Sequence, residues 1–184
     1  MIRYLDRAGY EANAVKDDKW RSHKARWPYH VAAIATVESL GIKDAGEVLE
    51  IGAFGAQIVI GSDTMDLPQG DWEIPGARST YAHDARELPW PIKTGRYSLV
   101  VALRVWHHLF PRQKECFLEA KRVAKHVLIV CPEKEIVGVG IRRRQWDDWN
   151  GSPPIRQAEL EGWGRLYLFK GGLNGNGMLH QAGE

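Results

Sequence analysis

The stretch Val48-Leu49-Glu50-Ile51-Gly52-Ala53-Phe54-Gly55 is a short apolar run that holds one acid and closes on two glycines. Apolar residues in close succession fit a strand covered on both faces, as in a parallel sheet. The glycines supply φ freedom and take side chains out of a ligand's path. Together they predict a buried strand opening into a loop at the carboxyl edge of a sheet, where α/β proteins hold nucleotide-like cofactors. Gly52 and Gly55 would approach such a ligand through their backbone, with Glu50 beside them. A tight turn alone would use the same glycines, so the acid before them is what favours ligand contact.

Upstream, the pattern from Pro28 is helical. Val31, Ile34, Ala35 and Glu38 share one face, and Ala32, Val37 and Leu40 widen the apolar side. Gly41 is placed to end that helix and Ile42 to fold back onto it. A polar turn from Lys43 to Gly46 then leads into the strand. Residues 1–20 lack clear periodicity and read as a loose arm or a short helix. Downstream, Ala56-Gln57-Ile58-Val59-Ile60-Gly61 reads as a second strand. It follows too closely to be a parallel neighbour, which needs a crossover of about a dozen residues. It is therefore either an antiparallel partner or an irregular return beside the sheet, and the usual first crossover helix is missing or much reduced. Residues 62–78, with Pro68, Gly70, Pro75 and Gly76, read as a long polar surface loop.

Order returns at Ser79-Thr80-Tyr81-Ala82, a short strand ending at His83-Asp84. Leu88-Pro89-Trp90-Pro91 excludes a helix and makes a rigid connection. Tyr97–Leu103 is uncharged and rich in branched residues, the pattern of a buried strand. Arg112–Lys125 is amphipathic, with Cys116, Phe117, Ala120, Val123 and Ala124 on one face, and Val127–Cys131 is a further buried strand. Strand, helix and strand at these lengths form a βαβ unit. The fold class is thus α/β, a doubly wound, mostly parallel sheet with helices on both faces. Arg142–Trp149 reads as exposed or partner-facing, Arg165–Phe169 as the last strand, and the glycine-rich tail as mobile.

The 184 residues carry no internal repeat and no linker, which predicts a single domain with a substantial core. A net charge of +2 is too small to argue for nucleic acid. The eight tryptophans are many for this length and are read as amphipathic cover for the core. Cys116 and Cys131 sit in apolar patterns without metal-ligand spacing, as buried thiols do in a reducing compartment, so no metal site is expected. No signal-peptide core opens the chain, and no apolar run is long enough to cross a bilayer. The expectation is a cytoplasmic protein without a membrane partner.

Four strand ends would converge on one crevice. The first contributes Glu50, Gly52 and Gly55, the second segment Asp63 and Asp66, the third Asp84, and the fourth Arg104 to His108. One carboxylate near the second strand can accept from two ribose hydroxyls, and one at the third from an adenine amine. No phosphate-cradling Gly-Lys-Ser/Thr is present. A crevice with more acids than cations suits a ligand bearing an ammonium, a sulfonium and ribose hydroxyls.

Four segments in this order resemble the motifs of class I S-adenosylmethionine-dependent methyltransferases: Val48–Gly52, His83-Asp84-Ala85-Arg86-Glu87-Leu88-Pro89, Tyr97–Leu103 with His107-His108-Leu109, and Glu119–Lys125. The resemblance covers roughly residues 45–132. It implies a Rossmann-like domain over 1–184, divided into an N-terminal arm and helix (1–44), a cofactor-binding core (45–132) and a C-terminal segment (133–184). It also implies S-adenosylmethionine as cofactor. Gly52 and its neighbours would lie against the methionine part, Asp63 or Asp66 against the ribose, and Asp84-Ala85 against the adenine. Arg104 to His108 would face the methyl group and the acceptor. The chain departs from the family pattern at Phe54 and Ala56, which stand where its second and third glycines would be.

The implied reaction is methyl transfer to a small-molecule or sugar-like acceptor. In-line positioning is its main requirement, with His107 or His108 as the candidate base. The plainer reading of the two histidines is one packed and one solvated ring. Asp84 has a plainer role too, as a helix N-cap. The stretch containing Trp20, Arg21, His23, Lys24, Arg26, Trp27, Tyr29 and His30 is either a lid or acceptor-binding element, or an amphipathic helix packed on the sheet. Arg142–Arg144 with Trp146 and Trp149 would suit nucleic acid, but Asp147 and Asp148 balance the charge and favour a solvated face. A non-catalytic scaffold is the competing class.

Overall fold

β1 (Val48–Ile51) is buried along its whole length, and it lies in the interior of the sheet with a strand on either side. In the computed structural model the described residues are 2–14, 23–53, 55–68, 79–132, 136–137, 155–156, 162–170 and 176–182. Among them, β1 pairs in parallel with β2 (Asp63–Asp66) on one side and β4 (Tyr97–Leu103) on the other. β3 (Tyr81–Ala82) continues the parallel order beyond β2, and β5 (Ala124–Pro132) beyond β4. β9 (Asn176–Ala182) joins β5 antiparallel, and β8 (Arg165–Lys170) closes the sheet against β9, giving the order β3-β2-β1-β4-β5-β9-β8. A separate two-stranded pair is formed by β6 (Ile136–Val137) and β7 (Ile155–Arg156). The sheet is doubly wound and mostly parallel.

Alternation along the strands divides the core into two. Val100 and Ala102 of β4, with Val127, Ile129 and Cys131 of β5, face α3 (Gln113–Val123), where Cys116, Phe117, Ala120 and Val123 meet them. Leu99, Val101, Leu128 and Val130 face the other way, onto Tyr29, Ala33 and Val37 of α2 (His23–Ser39). Each face buries branched side chains at roughly 1.5–3 kcal/mol apiece, which is why the strands read as continuous apolar runs. Gly41 ends α2 at φ +68°, and Ile42 returns to the core, as the sequence predicts.

Two open readings resolve and two expectations change. Ala56–Gly61 is not a strand but the irregular return, with an isolated antiparallel bridge from Val59 to Tyr4. Accordingly β2 lies later, at Asp63–Asp66, inside the segment read as a surface loop. Two acids flanking Thr64 and Met65 masked a strand whose core contribution is a single methionine. The N-terminal arm holds α1 (Arg7–Ala14), and the segment before it is bonded to the return through Leu5 N to Ile58 O and Ile60 N to Arg3 O. Finally, the glycine-rich tail contains β9, which sits between β5 and β8, so β8 is not the last strand. Arg142–Trp149 lies outside the described residues.

Candidate functional site

Glu50 is the one charged residue of β1, and its alternation points it to the α2 face, under the return. Its carboxylate accepts from the backbone N–H of Ile58 (2.7 Å) and of Val59 (2.8 Å) and from the Ser62 hydroxyl (2.9 Å). Burial pushes its pKa up to about 7 against the opposing pull of those three donors. A side chain predicted to sit beside a ligand is thus occupied in holding the loop that follows β1, and it acts on the site through that loop. Ile58 and Val59 are themselves fully buried on the α2 face, filling space that a crossover helix would otherwise cover.

Gly52 continues the sheet register through its N–H to Met65 O (2.9 Å). It takes φ +67°, and a Cβ there would fall 2.3 Å from Cγ2 of Val105. The glycine is therefore required twice, by backbone conformation and by the close approach of the β4 end. Gly55 also has positive φ, at +78°. Phe54 lies outside the described residues.

The polarity of the strands sorts the acids. Asp66 closes β2 at the carboxyl edge, is buried, and accepts from the Ser79 hydroxyl at 2.7 Å. Asp63 opens β2 at the opposite edge, where it accepts from Tyr97 Oη (2.8 Å) and Thr80 Oγ1 (3.2 Å), so it is not a crevice residue. The two were offered as alternatives because the register of β2 was not legible. At the end of β3, Asp84 is gripped by Arg86, whose Nη2 stands 2.6 Å from Oδ2 and whose backbone N–H is 2.9 Å from Oδ1. That grip holds its carboxyl below the usual carboxylate range. No helix follows, so Asp84 closes a turn rather than capping a helix. Ala85 is buried, and its carbonyl accepts from Trp90 Nε1 (2.8 Å) and Cys116 Sγ (3.3 Å).

Beyond β4, Arg104 has φ +60°, rare for a residue with a side chain. A single 3-10 turn, Trp106–Leu109, then carries the histidines, whose rings lie 3.8 Å apart. His107 turns inward and is buried, while His108 is half-buried. Burial lowers both pKa values, that of His107 the more, so both rings are neutral near pH 7. The 104–108 segment thus reaches the same edge as Gly52, as Val105 against Gly52 shows directly.

The sequence missed Ser62 and Ser79, which orient Glu50 and Asp66, and Tyr10. A serine in a polar loop carries no periodic signal, so only the fold reveals these partners. Tyr10 of α1 lies with its ring 4.4 Å from that of His30, which stacks on Trp27 at 5.8 Å. Tyr10, Trp27 and His30 are therefore an aromatic cluster beside the loop and not only an apolar helix face, while Trp20 and Arg21 lie outside the described residues.

No family model and no curated protein matches the chain. Solved structures do. A methyltransferase from Thermotoga maritima superposes with a TM-score of 0.55 at 13% identity, over 83% of this chain and 87% of its own. A protein of Methanococcus maripaludis assigned to the same enzymes gives 0.50 at 16%, over 99% and 95%. A third, from Nostoc punctiforme and assigned as an O-methyltransferase, gives 0.52 at 15%, over 89% of this chain and 58% of that one. At such identities the likeness establishes the fold.

Proposed function

We propose that this chain, which has the fold of class I S-adenosylmethionine-dependent methyltransferases, binds S-adenosylmethionine at the carboxyl edge of β1 and transfers its methyl group to a small-molecule or sugar-like acceptor. The observation that carries the reading is the placement of Gly52, Asp66, Asp84 and Arg104 just at or beyond the carboxyl ends of β1, β2, β3 and β4, along the edge that holds a topological switch point between β1 and β4.

The donor set fits such a ligand. Asp66 offers a carboxylate to ribose hydroxyls, and Asp84-Ala85 a carboxylate and a backbone N–H to an adenine edge. Gly52 and Gly55 expose backbone to the methionine part, and Glu50 fixes their loop. When bound, S-adenosylmethionine supplies an electrophilic methyl group on a sulfonium. The protein's own contribution is to hold the acceptor in line and exclude water. His108, neutral and half-buried, is the better placed of the two histidines to take a proton from a hydroxyl or amine acceptor.

Calorimetric titration with S-adenosylhomocysteine tests the reading. The expected result is micromolar binding that Asp66→Ala weakens by about tenfold or more, the value of one hydrogen bond to a charged group. Absence of binding at millimolar ligand would overturn it.

A further inference from the structure

The described residues contain a buried polar pair, Tyr10 and His30, to which the methyl-transfer reading gives no role. Tyr10 and His30 are 1% and 4% exposed, yet the Tyr10 hydroxyl has no hydrogen-bond partner and neither ring nitrogen of His30 makes a well-formed bond. The His30 ring faces the main chain of Arg26 and of Ala56, which puts the cluster against the loop that follows β1. Buried polar groups are nearly always satisfied, and one left unpaired costs free energy, so a pair of them calls for an explanation.

The positive charges of two arginines are felt at both groups. The guanidinium groups of Arg26, itself buried, and of Arg104 act on both Tyr10 and His30. Arg104 reaches the cluster at a conformational cost. Along β4, Leu99, Val101 and Leu103 face α2, whereas Val100 and Ala102 face α3. Regular alternation would send residue 104 to the α3 side. Its φ of +60° breaks the alternation, and its guanidinium carbon lies over the Tyr29 ring on the α2 side at 5.8 Å. Strain of this kind at a strand end is retained where function requires the displaced side chain.

We propose that Tyr10, His30, Arg26 and Arg104 form a receptor for the carboxylate of a bound small molecule. Two donors in neutral rings and two planar guanidinium groups match the acceptor sites of one carboxylate. Burial pushes the Tyr10 hydroxyl up to about 12, so it remains a donor, and holds His30 neutral with one N–H to give. The carboxylate belongs either to the cofactor's methionine part or to an acidic methyl acceptor. The proposal rests on the methyl-transfer reading only for its position beside the cofactor loop.

The test compares wild type with Tyr10→Phe and Arg104→Gln in two arms. The first measures affinity for S-adenosylmethionine against its decarboxylated analogue. The second follows benzoate by saturation-transfer NMR on protein saturated with S-adenosylhomocysteine and on ligand-free protein. A wild-type preference for the carboxylate form of about tenfold, reduced to about threefold or less in the variants, assigns the receptor to the cofactor. Benzoate binding that the variants lose assigns it to an acidic acceptor. In either case Tyr10→Phe raises the thermal midpoint of the ligand-free protein, because it removes an unpartnered buried hydroxyl. If neither cofactor form binds but benzoate still does so in a Tyr10-dependent way, the methyl-transfer reading falls and the receptor stands. Equal affinity for the two cofactor forms, with benzoate unbound or bound alike by all three proteins, overturns the receptor.

Discussion

Two crossovers in the same parallel sheet are built differently. From β4 to β5 the chain runs through α3, whose apolar stripe of Cys116, Phe117, Ala120 and Val123 seals one face. From β1 to β2 it runs from Gly52 to Ser62 with no helix, and one buried carboxylate holds the path by three hydrogen bonds. The helix of the first connection is held to the sheet mainly by buried apolar area. The second is stabilised by a few directed bonds to an ionisable group, so it concentrates the shape of the loop in one residue. A parallel neighbour can thus be placed by a short return if an acid satisfies the backbone that a helix would have satisfied internally.

The largest expected effect that separates the two is Glu50→Ala. It leaves two buried backbone N–H groups and a hydroxyl without an acceptor, at about 1–3 kcal/mol each, for a loss of about 4 kcal/mol in urea unfolding. Phe117→Ala in α3 should cost about 3 kcal/mol or more through its cavity. Amide exchange distinguishes them: Glu50→Ala abolishes protection of Ile58 and Val59, and Phe117→Ala leaves it. If Ile58 and Val59 stay protected in Glu50→Ala, the clasp is not what shapes the return.

Gly52→Ala comes next. The new methyl meets Val105 at 2.3 Å and keeps a strained φ, for a loss of about 2–3 kcal/mol by denaturant melts. Val105→Ala in the same chain should recover the packing part and leave about 1 kcal/mol of backbone strain. A double variant no better than Gly52→Ala alone would remove the contact from the account.

The pH dependence has a defined sign. Glu50 is raised in the folded state from the ordinary carboxyl value to about 7. Its contribution is therefore complete below about pH 4.5 and is lost as pH rises through 7, with a slope of up to about 1.4 kcal/mol per pH unit. His30, lowered to about 4, runs the other way, its contribution being lost as pH falls. The profile of wild type minus Glu50→Gln isolates the carboxyl, and the advantage of wild type should shrink from pH 5 to pH 7.5. A flat difference would contradict the burial of an ionisable clasp.

The smallest effect concerns the Asp84–Arg86 pair. Partly exposed, it should be worth about 1 kcal/mol or less to stability. Arg86→Ala frees the Asp84 carboxylate, so S-adenosylhomocysteine should bind a few-fold more tightly by calorimetry. Weaker binding would mean that Arg86 itself holds the ligand.

The strands that carry uninterrupted branched residues were legible in the sequence, as were α3 and the end of α2 at Gly41, because burial on two faces leaves a compositional trace. The carboxyl-edge corner at Gly52 was legible for the same reason. β2 was not, since Asp63 and Asp66 outweighed Met65 in a short strand. β9 was hidden by the glycines that precede and open it, which outweighed Met178 and Leu179 in a short polar segment. In the site, the position of Asp84 followed from the end of β3, but its grip by Arg86 did not. The choice between Asp63 and Asp66 awaited the register of β2 on β1. Glu50 was read as a ligand contact, and only the path of the return shows that its oxygens hold the loop instead.

Hydrogen–deuterium exchange of the whole chain, with and without saturating S-adenosylhomocysteine, tests most directly whether the clasped return is a cofactor loop. The expected result is slowed exchange at Gly52–Ser62 and at Asp84–Arg86, with the opposite edge around Gly95–Ser98 unchanged. No change at millimolar ligand, or protection confined to that opposite edge, would contradict it.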